Sequence, residues 1–165
     1  VAWAASSNTV CALDAFAYVS FPLKDAHYKI LNRNSGKAID VASGSTSDGA
    51  NIIQWNDSGA VNQNWRYVEV GDGSFKIVSR HSGKLLDVNN GSTADGASVI
   101  QWADNNGANQ HRTLVASGNG YYKIKNVKSG KLLSVSGSST TAGAQLVQTT
   151  DTNAAGQLWQ VVNVD

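Results

Sequence analysis

Asp40, Trp55 and the pair Asn62-Gln63 are followed 47 residues later by Asp87, Trp102 and the pair Asn109-Gln110. The same step taken once more reaches Ser134, Thr149 and Gly156-Gln157. An indole, a carboxylate and an amide suit a small ring with an apolar C–H face and a hydroxylated edge, and a pyranose sugar has that shape. Trp55 and Trp102 would stack on the face. Asp40 and Asp87 would each accept two hydroxyl hydrogen bonds, strengthened by charge. Asn62 and Asn109 would donate to and accept from the same edge.

The three copies act as an internal experiment. Tyr28/Phe75/Tyr122, Ile30/Ile77/Ile124, Ile39/Leu86/Leu133, Val41/Val88/Val135 and Ile52/Val99/Leu146 stay apolar, and Gln63, Gln110 and Gln157 stay Gln. These positions read as a shared scaffold, with the amide of the Gln tying loop backbone together. Other positions change in the third copy only: Asp40 and Asp87 to Ser134, Asp48 and Asp95 to Ala142, Trp55 and Trp102 to Thr149, Asn62 and Asn109 to Gly156, Arg33 and Arg80 to Val127. A packed core would not accept Trp to Thr without a large cavity cost. The changing set therefore reads as a surface pocket kept in two copies and lost in the third.

Each member also has a structural alternative. Asp40 could cap a turn and Trp55 could be a core aromatic. Asp48 and Asp95 precede Gly and read first as turn formers. Asn62 and Asn109 need a hydrogen bond under either reading. Arg33 and Arg80 read as solvated rim charges. Arg112 stands where the other copies have Trp65 and Trp159, and its stem is expected to pack while its head reaches solvent, with some loss of local stability.

The elements that must position these residues follow from the repeat. Ser35-Gly36-Lys37-Ala38-Ile39-Asp40-Val41 recurs as Ser82–Val88 and Ser129–Val135, and no gap is needed to superpose the copies. Repeats span residues 28–73, 75–120 and 122–165. Each predicts four short strands, in the first copy near Tyr28–Asn32, Lys37–Val41, Asn51–Trp55 and Trp65–Val70. Alternation puts Tyr28 with Ile30, and Ile39 with Val41, on shared faces. Turn residues fall every eight to twelve positions, and Gly36, Gly83 and Gly130 fit turns that need positive φ. No segment shows a sustained helical period. Three units are few for a propeller, and a solenoid would want distinct capping ends. A closed barrel with pseudo-threefold symmetry removes the open edges, so the expected fold is an all-β β-trefoil of three 47-residue repeats.

The repeated Ser-Gly-Lys-x-(Leu/Ile)-Asp-Val, Asp-Gly-Ala, Ile-Gln-Trp and Asn-Gln-x-Trp resemble the ricin-type β-trefoil lectins, carbohydrate-binding module family 13, over Tyr28 to Asp165. The Gln-x-Trp triplet stands at Gln63-Asn-Trp65 and Gln157-Leu-Trp159 and departs to Gln110-His-Arg112 in the middle copy. The cysteine pairs frequent in such lectins are absent from these repeats. The resemblance implies galactose-like ligands at Asp40, Trp55, Asn62, Asp87, Trp102 and Asn109, with Gln63 and Gln110 as support. By the same reading the loops Ala42–Gly49 and Asn89–Gly96 set which sugar is read.

Composition narrows the remaining classes. The chain has 165 residues, 15% of them charged, and a net charge of +1. That balance gives no electrostatic case for nucleic acid or an anionic membrane, and no apolar run is long enough to cross a bilayer. The acids are eleven Asp and one Glu, Glu69, so a Glu–Glu catalytic pair cannot be assembled. No nucleophile–base pair carries a local motif. Cys11 is alone, and His27, His81 and His111 lack metal-ligand spacing. No metal or cofactor is expected.

Residues 1–26 lie outside the repeat and read as a linker or the tail of a preceding domain, with 27–165 as the trefoil. Phe16–Phe21 could form a short strand, and no basic start precedes an apolar core, so this stretch does not read as a secretory signal. The expectation is a non-catalytic, monomeric carbohydrate-binding module of a longer, secreted polysaccharide-degrading enzyme. Its polymer would contain galactose, xylose or glucose. A free-standing lectin and a protein-binding trefoil of the protease-inhibitor kind are the alternatives.

Overall fold

A computed structural model describes residues 25–165. Cys11, the strand expected at Phe16–Phe21 and nearly all of the 1–26 tail lie outside the described residues. The first repeat supplies strands β1 (His27–Asn32), β2 (Ala38–Val41), β3 (Ile52–Trp55) and β4 (Trp65–Glu69). The second supplies β5 (Phe75–Ser79), β6 (Leu85–Val88), β7 (Val99–Trp102) and β8 (Arg112–Ala116). The third supplies β9 (Tyr121–Asn126), β10 (Leu132–Val135), β11 (Leu146–Thr149) and β12 (Trp159–Asn163).

Six strands close on themselves: β1 pairs β4, β4 pairs β5, β5 pairs β8, β8 pairs β9, β9 pairs β12 and β12 returns to β1, all antiparallel. The hairpins β2–β3, β6–β7 and β10–β11 cap one end. Single bridges Asn51↔Ile100, Ile53↔Gln145 and Ser98↔Val147 link these hairpins to one another. Gln145 ties the cap further, its Nε2 donating to Ile52 O at 3.0 Å and Val99 O at 2.9 Å. This is a β-trefoil, and closure removes the open edges that three separate sheets would expose.

The repeat-invariant apolar positions make the core. Tyr28, Ile30, Ile39, Val41, Ile52, Ile77, Leu86, Val99, Ile124, Leu133, Val135 and Leu146 pack in one cluster with Trp65 and Trp159. Each of those two indoles also donates inward, Trp65 Nε1 to Ile39 O at 3.1 Å and Trp159 Nε1 to Leu133 O at 3.0 Å. Gly36, Gly83 and Gly130 adopt φ of 71°, 75° and 72°, as the Ser-Gly-Lys turn requires.

The expected strands are present to within a residue or so at each end. Short 3₁₀ turns, which hydrophobic periodicity does not reveal because three residues make no period, stand between them at Ala42–Gly44 and Val61–Gln63 and at their repeats. Arg112 departs from expectation. Its guanidinium does not reach solvent: the residue is 1% exposed, and Nε, Nη1 and Nη2 are buried with no hydrogen-bond partner among the described residues. The position lies inside the barrel wall, where its counterparts Trp65 and Trp159 are wholly buried, and an arginine stem is too short to carry its head out from there.

Candidate functional site

Each candidate residue sits at the end of an element that fixes it. Asp40 lies on β2, where it pairs with Ile53, and Trp55 ends β3 opposite Ala38. Asn62 and Gln63 lie on the 3₁₀ turn before β4. The first cradle is a depression of about 400 Å³ lined by Asp40, Ser43, Ile53, Trp55, Ser58 and Asn62. The second, about 280 Å³, is lined by Asp87, Asn89, Asn90, Ile100, Trp102 and Asn109.

The two indoles are exposed, Trp55 at 45% and Trp102 at 40%, which excludes the core reading. The carboxylates are nearly covered, Asp40 at 6% and Asp87 at 4%. Gln63 Nε2 donates to Asp40 Oδ2 at 2.9 Å and to Asn56 O at 2.9 Å, while its Oε1 accepts from Ser58 N. Gln110 does the same for Asp87 and Ala103 O, at 2.8 and 2.9 Å. Gln63 and Gln110 are therefore buried behind the carboxylates and line neither cradle. Asn62 Nδ2 donates to Val41 O, and Asn109 Nδ2 to Val88 O and to Asp87 Oδ1. Each Asn is thereby held at the cradle wall.

Burial pushes the Asp40 carboxyl above its ordinary range, against the pull of the Gln63 and Asn62 amides. Burial raises Asp87 as well, opposed by Gln110, the Arg112 charge and Asn109, with Asp48 adding a small push upward. Such a carboxylate is stripped of water on one side and presents its remaining lone pairs to the opening.

The third lobe is organised differently. Ser134 Oγ and Thr149 Oγ1 share a hydrogen bond of 2.5 Å, and Gln157 Nε2 donates to Thr149 Oγ1 at 2.8 Å. The conserved geometry of the Gln thus meets a neutral hydroxyl where the other lobes offer a carboxylate. Its depression, about 250 Å³, has neither aromatic ring nor charge.

Asp48 and Asp95 do not line a cradle in their own repeat. Asp48 Oδ1 accepts from Ala103 N at 2.9 Å, and Asp95 Oδ1 accepts from Thr150 N at 2.6 Å and from Thr150 Oγ1. Both reach into the following repeat, just beyond Trp102 and Thr149. Each stands in a local turn, Ser47–Ala50 or Ala94–Ala97, as a residue before Gly was expected to, and its carboxylate serves the next repeat rather than a pocket of its own copy. Arg33 lies outside both cradles, with Cζ 4.8 Å from the Tyr121 ring centre, and Arg80 is 3.7 Å from Asp165.

Sequence reasoning passed over Gln54, Gln101 and Gln148. Gln54 Nε2 donates to Ser139 O and Thr141 O, Gln101 Nε2 to Ser45 O and Ser47 O, and Gln148 Nε2 to Ser92 O and Ala94 O. Each ties the loop of a neighbouring repeat beneath the last residue of its own hairpin. The signal was available as one Gln unchanged in all three copies before Trp or Thr. Among the described residues, no group of three His, Cys, Asp or Glu side chains could hold a metal ion.

The model of the ricin-type beta-trefoil lectin domain-like family matches residues 17–102 and 108–165. The chain belongs to this family. The lectin-like domain also resembles solved structures. The designed threefold-symmetric protein ThreeFoil is 51% identical, with a TM-score of 0.83 over 85% of this chain and 100% of that one. An exo-beta-1,3-galactanase from Clostridium thermocellum is 42% identical, with a TM-score of 0.84 over 86% of this chain but only 31% of the galactanase. The Macrolepiota procera ricin B-like lectin, solved in complex with lactose, shares the fold at 21% identity, a TM-score of 0.75 and 86% and 97% coverage. Among curated proteins, none matches the domain.

Proposed function

We propose that the domain is a non-catalytic carbohydrate-binding module with two sugar cradles, built on Asp40, Trp55 and Asn62 and on Asp87, Trp102 and Asn109. One observation carries this reading: an exposed indole beside a buried, amide-held carboxylate occurs in both cradles, and both groups are missing together from the third. A stacking face and a charged acceptor have value only in combination for a pyranose. The galactanase and the lactose-bound lectin among the similar structures favour a galactose-containing ligand. Two cradles on one body favour a polymer, because the second attachment is intramolecular. The parent would then be a secreted polysaccharide-degrading enzyme that this module holds on its substrate.

The test is a titration of the domain with lactose and galactan, beside Trp55→Ala, Trp102→Ala and the double variant. Each single variant should lose one of two sites, with at least about a tenfold weaker affinity there, as truncation of an aromatic hot spot costs. The double variant should be released from galactan. Unchanged binding in the double variant overturns the assignment.

The raised carboxyls give a pH dependence. A hydroxyl-accepting Asp must be ionised, so binding should weaken as pH falls through values above the ordinary carboxylate range, earlier than for an exposed Asp. Stability moves the other way. The folded chain takes up these two protons more readily than the unfolded chain, so ionised Asp40 and Asp87 cost stability at neutral pH, and that cost is relieved as pH falls through their raised values. Affinity measured from pH 7 downward, alongside urea midpoints, separates the two trends.

A further inference from the structure

We infer that the two cradles are not equivalent, because each is completed by the repeat before it and only the second is fully fastened. The inference rests on the sugar reading above and names Asp48 as a positioning residue for the second cradle.

Each indole ends its hairpin strand, so the backbone of the residue after it is the next point at which the ring's side of the cradle can be fastened. In the second repeat that residue, Ala103, is held on both sides. Its carbonyl accepts from Gln110 Nε2, and its N–H donates to Asp48 Oδ1 of the first repeat. Lys84 Nζ lies 3.8 Å from the same Asp48 oxygen. Gly49, next in sequence, turns its loop at a φ of 86° and places it against the ring: a Cβ there would stand at ordinary contact distance, 3.7 Å, from Trp102 Cζ3. The third lobe has the same fastener, Asp95 on Thr150, but no ring to hold.

In the first cradle the order of repeats brings up the third. A Cβ on Gly143 would stand 3.6 Å from Trp55 Cζ3, so the glycine shelf is present. The residue before it is Ala142, whose methyl group offers no acceptor to Asn56, and among the described residues Asn56 is held through its carbonyl by Gln63 without a carboxylate on its N–H. The loss at position 142 therefore weakens the cradle of the first repeat, on the far side of a repeat boundary from where sequence alignment of the copies puts it. A ring whose next residue is held on both sides is closer to its bound placement, and a population not so placed reduces apparent affinity in proportion.

The experiment is a lactose titration followed through the indole N–H resonances of Trp55 and Trp102, in the parent and in Asp48→Ala, Asp48→Asn and Ala142→Asp. The Trp102 midpoint should weaken about three- to tenfold in Asp48→Ala, the range of an ordinary net hydrogen bond and below that of a charge-assisted one, because this bond positions the ring and does not touch ligand. The Trp55 midpoint should stay. Asp48→Asn keeps an acceptor oxygen and should retain most of the parent affinity, and Ala142→Asp should tighten the Trp55 midpoint. Equal changes at both rings, or none at either, with folded variants, overturn the inference while leaving the cradles standing. If neither ring of the parent responds to lactose or to galactan fragments, the sugar reading falls and takes the inference with it.

Discussion

Arg112→Trp should raise the unfolding free energy by about 1–4 kcal/mol, the gain seen when buried charge gives way to apolar packing. For a domain of this size the melting temperature should rise by about 2–4 °C for each kcal/mol. The argument starts from the symmetry. Trp65 and Trp159 occupy the equivalent positions at 0% exposure, each with its indole N–H on a β2-type carbonyl, Ile39 O or Leu133 O. Leu86 is the corresponding residue of the second repeat, so the acceptor for a third indole is already in the sequence. Arg112 fills the place with a charged group whose three nitrogens have no hydrogen-bond partner among the described residues. Burial pushes its pKa down to about 10, against the pull of Asp87 and Tyr67. A cation with a depressed pKa is costly at every pH below that value, because the unfolded chain binds the proton more readily.

The same substitution reaches the second cradle. Arg112 draws the Asp87 carboxyl back down, and no cation plays that part for Asp40, whose opposing groups are the Gln63 and Asn62 amides. In Arg112→Trp the Asp87 carboxyl should therefore protonate at higher pH, and binding at the second cradle should fade earlier on acidification while the first is unchanged. Urea denaturation of Arg112→Trp beside Arg112→Leu distinguishes loss of charge from gain of the indole. A lower midpoint in both variants would mean that the guanidinium is stabilising where it stands.

The repeat made the fold legible. Superposition without gaps separated positions that keep an apolar frame from those that vary, and the frame is the observed core. The exposed Trp55 and Trp102 were legible for the same reason, since Thr149 cannot replace a core indole. What the alignment of copies could not reveal is which repeat a side chain serves. Asp48, Asp95 and Gln101 act across repeat boundaries, and comparison of equivalent positions assigns every residue to its own copy by construction. Arg112 was misread because snorkelling is a property of surface positions, and a Gln-x-Trp position points into the barrel.

The third lobe should become a third cradle with three changes, Ser134→Asp, Thr149→Trp and Gly156→Asn. The supporting parts are already in place. Gln157 Nε2 donates into this lobe at the height where its counterparts meet carboxylates, and its Oε1 already accepts from Thr152 N. Asp95 fastens Thr150, so the residue after the new indole would have the two-sided hold that the one after Trp55 lacks. Gly96 is its shelf, and a Cβ there meets nothing within 4 Å. At Gly156 the backbone is not in the left-handed region, and an added Cβ would find its nearest neighbour, Ser138 Cα, at an ordinary 3.7 Å, so a side chain is tolerated. Removing the Ser134–Thr149 hydrogen bond costs little, because both hydroxyls leave together. The triple variant should bind lactose at three sites by calorimetry and should hold galactan more tightly than the parent, through one more attachment on the same body. Ser134→Asp alone should not bind there, since a carboxylate without a stacking face orients nothing. If the triple variant folds and still titrates two sites, indole, carboxylate and amide do not suffice for a cradle, and the loop at Ser136–Ser138 must supply what is missing.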